Sequence, residues 1–401
     1  MSDGPAKSVK HPAHEHAVTL WWRESGWFGR LAPLVAILLP AVLPMMVGGS
    51  SAGVVINVAV QIGIYMILAM GLNVVVGYTG LLELGYVTFM AVGALVAALG
   101  LMVVKPTSGE DEGKWLLPGG LDSIPAGEHM FDFPGGYLVL VLLAGVICAI
   151  LGIIRGIPTL RLSGDYYAIV TLGLAEIFYL IFFNEDWLTG GAFGLKLTMA
   201  SRPELFGEKL YWDTKTFYYL VLILVLLTAY SVWKLQRGRM GRAWAAIRLD
   251  ETAAKACGIN VAASKTVAFA ISGFFGGIGG ALYCVWLGTV AVRDLDVWQS
   301  IIILCAVVLG GMGSIKGVLL GTAILIALGE VLREELGGVR VPPEARYLIY
   351  GLLLLLLMRF RPEGLIPRSA GRRPPTPEEE EAMRELPSKL YALEKNGRNR
   401  P

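Results

Sequence analysis

Residues 71–94 read Gly71-Leu-Asn-Val-Val-Val-Gly77-Tyr-Thr-Gly80-Leu-Leu-Glu83-Leu-Gly85-Tyr-Val-Thr-Phe-Met-Ala-Val-Gly-Ala94. An aliphatic run stops at a G-x-x-G, admits one carboxylate, and resumes as a second apolar run. Long apolar runs on both sides of a glycine break are the pattern of membrane spans, not of a soluble core. The rest of the chain agrees. Of its 401 residues 55% are apolar or aromatic, 50 are glycine and only 16% are charged, with a mean hydropathy of +0.61. A soluble domain holds about 45–50% apolar residues with glycine included and about 25% charged ones. No soluble interior hides that much apolar surface, so the chain is an all-α polytopic membrane protein.

A hydrocarbon core of about 30 Å asks for about 20 apolar residues per helix. Runs approaching this lie at 31–47, 54–76, 80–104, 137–154, 165–183, 216–234, 266–288, 298–315, 317–333 and 346–359. About ten transmembrane helices are therefore expected, with a range of 8–10. The proline-rich first run, the short last one and the pair flanking Lys316 are the weakest. The first run follows a polar segment, 1–30, and lacks a small-residue cleavage site, so it reads as a retained span.

Basic residues collect beside short loops on the cytosolic side. Segment 234–265 holds Lys234, Arg237, Arg239, Arg242, Arg248, Lys255 and Lys265 against Asp250 and Glu251. Loops 105–136 and 184–215 are net acidic. Ten helices alternate these sides without conflict, which puts both termini and the 235–265 loop in the cytosol. The membrane part is 31–367. The tail 368–401, with Pro374, Pro375, Pro377 and Glu378 to Glu381, reads as a polar cytosolic segment.

A net charge of +2 without a dense basic stripe gives no case for nucleic acid as a partner. Cys148, Cys257, Cys284 and Cys305 lack C-x-x-C spacing and read as free thiols. His11, His14 and His16 lie in the polar N-terminal segment and read as solvated; no metal site is expected.

A second break, Val307-Val-Leu-Gly310-Gly-Met-Gly313-Ser314-Ile-Lys-Gly317, mirrors the first, a pairing consistent with an internal inverted repeat. Glycine lets the backbone leave helical geometry, and the freed amides and carbonyls can face a polar ligand. Asn73, Gly77, Thr79, Gly80, Glu83, Gly85, Gly310, Gly313, Ser314 and Gly317 are thus candidates for a translocation pathway. Close helix packing is the competing reading of the same glycines. An ionisable group inside an apolar run is a functional-site hypothesis by default, which singles out Glu83 and leaves Glu176 open. Gly273, Gly276, Gly277, Gly279 and Gly280 read as a packing ridge.

Segment 241–260 reads as two short helices. One runs to about Leu249; Asp250 then caps the next, Glu251 suits its positive end, and Gly258 closes it in the left-handed conformation. Ala253, Ala254 and Ala256 keep the second helix slim, a shape suited to a groove on another protein.

The order of motifs resembles the LivM-type permeases of branched-chain amino acid ABC transporters. The carriers are the 71–94 stretch, R-L-S-G-D-Y-Y-A-I-V-T-L-G at 161–173, T-G-G-A-F-G at 189–194, and G-R-A-W-A-A-I-R-L-D-E-T-A-A-K-A-C-G-I-N at 241–260. L-G-G-M-G-S-I-K-G-V-L-L-G at 309–321 and R-P-E-G-L-I-P at 361–367 complete the set. The resemblance implies that the chain supplies half of a pathway in a bacterial inner membrane, pairing with a second permease subunit. Two ATPase subunits would bind the ATP and magnesium, and a periplasmic binding protein would deliver the amino acid. It also implies that the 241–260 loop docks on the ATPases through Arg242, Ala243, Ile247, Arg248, Asp250, Glu251, Ala253, Ala254 and Gly258.

The chain contains no G-x-x-x-x-G-K-[ST] phosphate loop, so no standard ATPase is its own, and no cofactor is expected in it. An ion-coupled secondary transporter would need several intramembrane acids; only Glu83, Asp165 and Glu176 are on offer. A membrane enzyme lacks any nucleophile–base pair or ligand set in the spans. Within the permease reading, branched-chain or other hydrophobic amino acids are preferred over urea and short-chain amides on the Gly85-Tyr-Val-Thr-Phe continuation.

Overall fold

The computed structural model describes residues 52–101, 136–159, 165–185, 214–291, 295–332, 343–361 and 363–366, with 189, 194–196, 204–205 and 208–209. The segment 1–30, the run 31–47, the interior of loop 105–136, most of the 161–164 and 189–194 motif residues, and the tail 368–401 lie outside the described residues. Among the described residues the helices are α1 (Ala52–Asn73), α2 (Val87–Leu101), α3 (Gly136–Thr159), α4 (Asp165–Asn184), α5 (Thr214–Arg237), α6 (Arg239–Leu249), α7 (Glu251–Ala256), α8 (Val261–Leu287), α9 (Val297–Gly310), α10 (Ile315–Val331) and α11 (Pro343–Phe360). A π-helical turn, Val74–Thr79, extends α1. Among the described residues five helices are long and apolar enough to cross a membrane, and α2 and α9 are shorter apolar helices. The protein is a polytopic membrane protein.

Helix α8 is the axle. Asn260 caps its start, the side chain accepting from the Ala263 amide at 3.0 Å, and Gly288 in the left-handed region ends it. Of its spanning window 78% is buried, against 22% for α4. Lipid tails are as apolar as leucine, so hydrophobicity does not drive such helices together; close van der Waals packing does. The glycine row supplies it. A Cβ on Gly277 would lie 2.5 Å from the Ala144 carbonyl oxygen and 2.8 Å from Cys148 Cβ, so α8 and α3 meet backbone to backbone. Gly280 meets α2 in the same way at Met90. Helix α1 packs on the next face of α8, with α5 and α10 outside it.

The outer surface is apolar where lipid would bathe it. Leu142, Ile150 and Ile154 of α3 and Ile223 and Leu227 of α5 are exposed. A two-residue pairing of β1 (Leu195–Lys196) with β4 (Thr289–Val290) ties the segment after α4 to the end of α8. A separate hairpin pairs β2 (Glu204–Leu205) with β3 (Glu208–Lys209). All four cysteines are free.

Two boundaries differ from the sequence expectation. The run at 80–104 does not become helical until Val87, because Gly80 is left-handed (φ 78°) and residues 80–86 turn the chain. The 235–265 stretch is almost entirely helical: α5 continues to Arg237, α6 and α7 follow, and α8 starts at Val261.

Candidate functional site

The two glycine breaks, far apart in sequence, meet in space. Asn73 ends α1 fully buried, and its Oδ1 accepts from the Gly313 amide at 2.8 Å. A Cβ on Gly77 would lie 2.5 Å from that same amide nitrogen, so this contact requires a glycine. The π-helical turn between them leaves the regular ladder, a feature found frequently at functional sites. Thr79 satisfies its hydroxyl on the Val75 carbonyl at 2.7 Å.

On the second break, Ser314 caps α10 by accepting from the Gly317 amide at 3.2 Å. Gly310 and Gly317 pack backbone on backbone. The 363–366 segment seals this junction: the Ile366 and Leu365 amides donate to the Gly310 and Leu309 carbonyls at 3.0 and 2.9 Å. The closing R-P-E-G-L-I-P motif therefore belongs to the same junction.

Glu83 does not reach an open path in this structure. It is fully buried and ion-paired with Arg155 of α3. Arg155 also donates to the Gly85 carbonyl at 2.7 Å and stacks over Phe89 at 4.3 Å. From the other side the Leu84 amide donates to Thr171 of α4 at 3.3 Å, and from a third the Val87 amide donates to Ser300 of α9 at 2.8 Å. The turn 80–87 is thus gripped by α3, α4 and α9. Arg155, Thr171 and Ser300 were not anticipated. Arg155 alone had a signal, a guanidinium at the foot of an apolar run.

Helices α6 and α7 lie against this same end. Asp250 caps α7 as expected, accepting from the Thr252 and Ala253 amides at 2.7 and 3.0 Å, and Gly258 is left-handed at φ 80°. The loop residues then divide by face. Ile247 and Ala254 are buried with Val261, while Arg242, Asp250, Ala253 and Gly258 are exposed and Ala243 is half-buried. Leu249 is 81% exposed, an apolar side chain held out between the two helices. Arg248 reaches inward and donates to the Gly77 carbonyl, with its side chain across Gly80. Trp244 is fully buried, stacks on Tyr78 of the π-helical turn at 6.3 Å, and donates to the Ser264 carbonyl of α8 at 2.8 Å.

Glu251 bonds Lys265 of α8 at 2.7 Å and Lys255 at 3.1 Å. Partial burial pushes its carboxyl pKa up, but the hydrogen bonds and charges of Lys265 and Lys255 outweigh that and hold it below the ordinary range. No cluster of metal-ligating side chains occurs among the described residues.

Residues 54–358 match the family model described as branched-chain amino acid transport system / permease component, about three quarters of the chain. The chain is similar to the high-affinity branched-chain amino acid transport system permease protein LivM of Salmonella typhimurium, 35% identical over 83% of this chain and 74% of the relative. The protein of the same description from Escherichia coli is 36% identical over the same shares. A probable branched-chain amino acid transport permease protein LivM of Methanocaldococcus jannaschii is 27% identical over 78% of this chain and 93% of its own length. No solved structure matches.

Proposed function

The chain belongs to the family of branched-chain amino acid transport system permease components, and we propose that it forms one half of the membrane pathway of an ATP-driven importer for branched-chain or other hydrophobic amino acids. The other half is a second permease subunit. Two ATPase subunits bind the ATP and magnesium, and a periplasmic protein delivers the amino acid. The membrane is the bacterial inner membrane, crossed about ten times, with both termini and α6–α7 on the cytosolic side.

The observation that carries this reading is the bond from Arg248 to the Gly77 carbonyl, which joins the outward-facing helix pair to the meeting point of the two glycine breaks. In the proposed cycle the exposed Arg242, Asp250, Ala253 and Gly258 meet the ATPase. The buried Ile247 and Ala254, the half-buried Glu251, and Arg248, exposed but bonded to Gly77, pass its movement on. Asn73, Gly77, Thr79, Gly80, Glu83, Gly85, Gly310, Gly313, Ser314 and Gly317 form the junction that opens or closes the cytosolic end of the pathway. A nucleotide can bias such a junction only through contacts that differ between its open and closed states.

The test is uptake of radiolabelled L-leucine by proteoliposomes holding the complete complex, with ATP inside and binding protein outside. ATP-dependent accumulation supports the reading. Accumulation driven by an ion gradient without ATP, or none at all, overturns it.

A further inference from the structure

A chain that forms half of a pathway must turn one of its exposed faces toward that pathway. Among the described residues the spans carry almost no charge at mid-depth. Arg155 is buried and paired; Lys215, Lys234 and Lys265 stand near helix ends, as do Lys316, Glu330 and Arg359. Glu176 is different. It lies about 16 Å from the start of α4 and about 12 Å from its end, at 1.5 Å per residue. It is exposed, and no described residue bonds or pairs with it.

A carboxylate at that depth is not placed against lipid; such groups face a bundle interior or a water-filled path. Its surroundings fit a path. The exposed face of α4 is broad, from Tyr166 to Asn184, and within it Ile169, Gly173, Ile177 and Leu180 stand at helical spacing around Glu176, so the carboxylate sits in an apolar stripe. Gly173, one turn before it, is also exposed and adds no side chain beside the carboxylate. Helix α4 is also the least buried of the five long apolar helices, and behind it the buried Thr88 hydroxyl lines a small cavity toward Ala175 and Phe178 without a partner. The chain by itself leaves α4 partly unpacked.

We propose that the stripe of α4 lines the translocation pathway and that Glu176 holds the α-ammonium group of the passing amino acid, with Gly173 keeping the space beside it open. An amino acid carries that cation at neutral pH whatever its side chain, so the site recognises the shared part of the substrate and leaves side-chain selection elsewhere. The inference rests on the amino-acid importer reading and adds a named contact to it.

The test uses the complete complex in proteoliposomes and the same L-leucine assay. Wild-type uptake checks the importer reading separately. Glu176→Gln keeps the shape and loses the charge, and leucine uptake is expected to fall roughly ten- to a hundredfold, with Glu176→Asp recovering part of it. The partner subunits still co-purify. In a second arm, Glu176→Cys in a Cys257→Ser background is treated with a trimethylammonium-ethyl methanethiosulfonate. The proposal expects labelling from water, slowed by L-leucine. Normal uptake by Glu176→Gln, or no labelling of Glu176→Cys from water, overturns it. So does loss of the second membrane subunit from Glu176→Gln, which would make Glu176 an ion-pair partner between subunits. If wild type moves no leucine, the importer reading falls, while the labelling arm still decides whether α4 lines an aqueous path.

Discussion

At the scale of single residues, the charges kept in the interior are there to hold backbone in place. The turn 80–87 cannot be held by a helical ladder, so side chains from three other helices take over its amides and carbonyls. Glu83 and Arg155 are the costly part of this arrangement. A buried ion pair is worth little net, but removing one partner strands the other charge at about 3–5 kcal/mol. Arg155→Met and Glu83→Gln are therefore each expected to lower the thermal midpoint of the detergent-solubilised complex more than the double variant does; a double variant as unstable as the two single losses added together would show the groups to be independent. Glu251 makes the opposite prediction, an insensitivity. Its folded pKa lies below the unfolded value of 4.5, so its contribution is fully present above that value and is lost only as pH falls through the lower folded one. Hydrogen exchange of the α7 amides should be flat with pH, after correction for intrinsic rates, from about 6 to 8. A protection step inside that window would mean that another group holds α7.

Helices α6 and α7 show what one capping residue and one glycine accomplish at the scale of elements. Helix α7 has only six residues, too few to persist by propensity, so its shape depends on Asp250 at one end, Gly258 at the other and Ala254 packed beneath. Asp250→Ala removes acceptors for two amides and should cost about 0.5–2 kcal/mol of local stability. Gly258→Val forces a β-branched residue to φ 80°, although nothing stands near its Cβ, so its effect is conformational and not steric. Both variants are expected to insert normally yet retain less ATPase subunit in pull-down assays; full retention in both would remove this pair of helices from the docking surface. This element was legible in advance because capping chemistry is local: an acid, three small residues and a glycine at the right spacing define it. The delayed start of α2 was not. Residues 81–86 carry three leucines and continue an apolar run, and the left-handed Gly80 together with partners from α3, α4 and α9 makes them a turn.

The whole molecule is organised around one end, where α6, the π-helical turn, the α9–α10 junction and the 363–366 segment come together. Composition and apolar runs made the membrane class and the helices legible, and glycine spacing marked both breaks. Their meeting was not legible, because the Asn73–Gly313 bond links residues 240 positions apart and no local pattern records it. The same holds for Trp244, whose burial between Tyr78 and Ser264 turns an apparently solvated basic loop into part of the bundle. In the proposed cycle, force on α6 and α7 has two routes into the membrane part. Trp244 and Glu251 lead to the base of α8, whose backbone-close packing makes it a rigid body. Arg248 leads instead to Gly77, where the backbone is already non-helical and able to change. The second route should carry the gating motion and the first should anchor the docking element. Arg248→Ala is accordingly expected to leave the complex assembled and ATP hydrolysis within about twofold of wild type, while leucine moved per ATP falls about tenfold or more. Trp244→Ala removes packing and is expected to lose assembly and hydrolysis together. A ratio of transport to hydrolysis that stays constant in Arg248→Ala would rule out the Gly77 bond as the coupling step, leaving α8 to carry the motion.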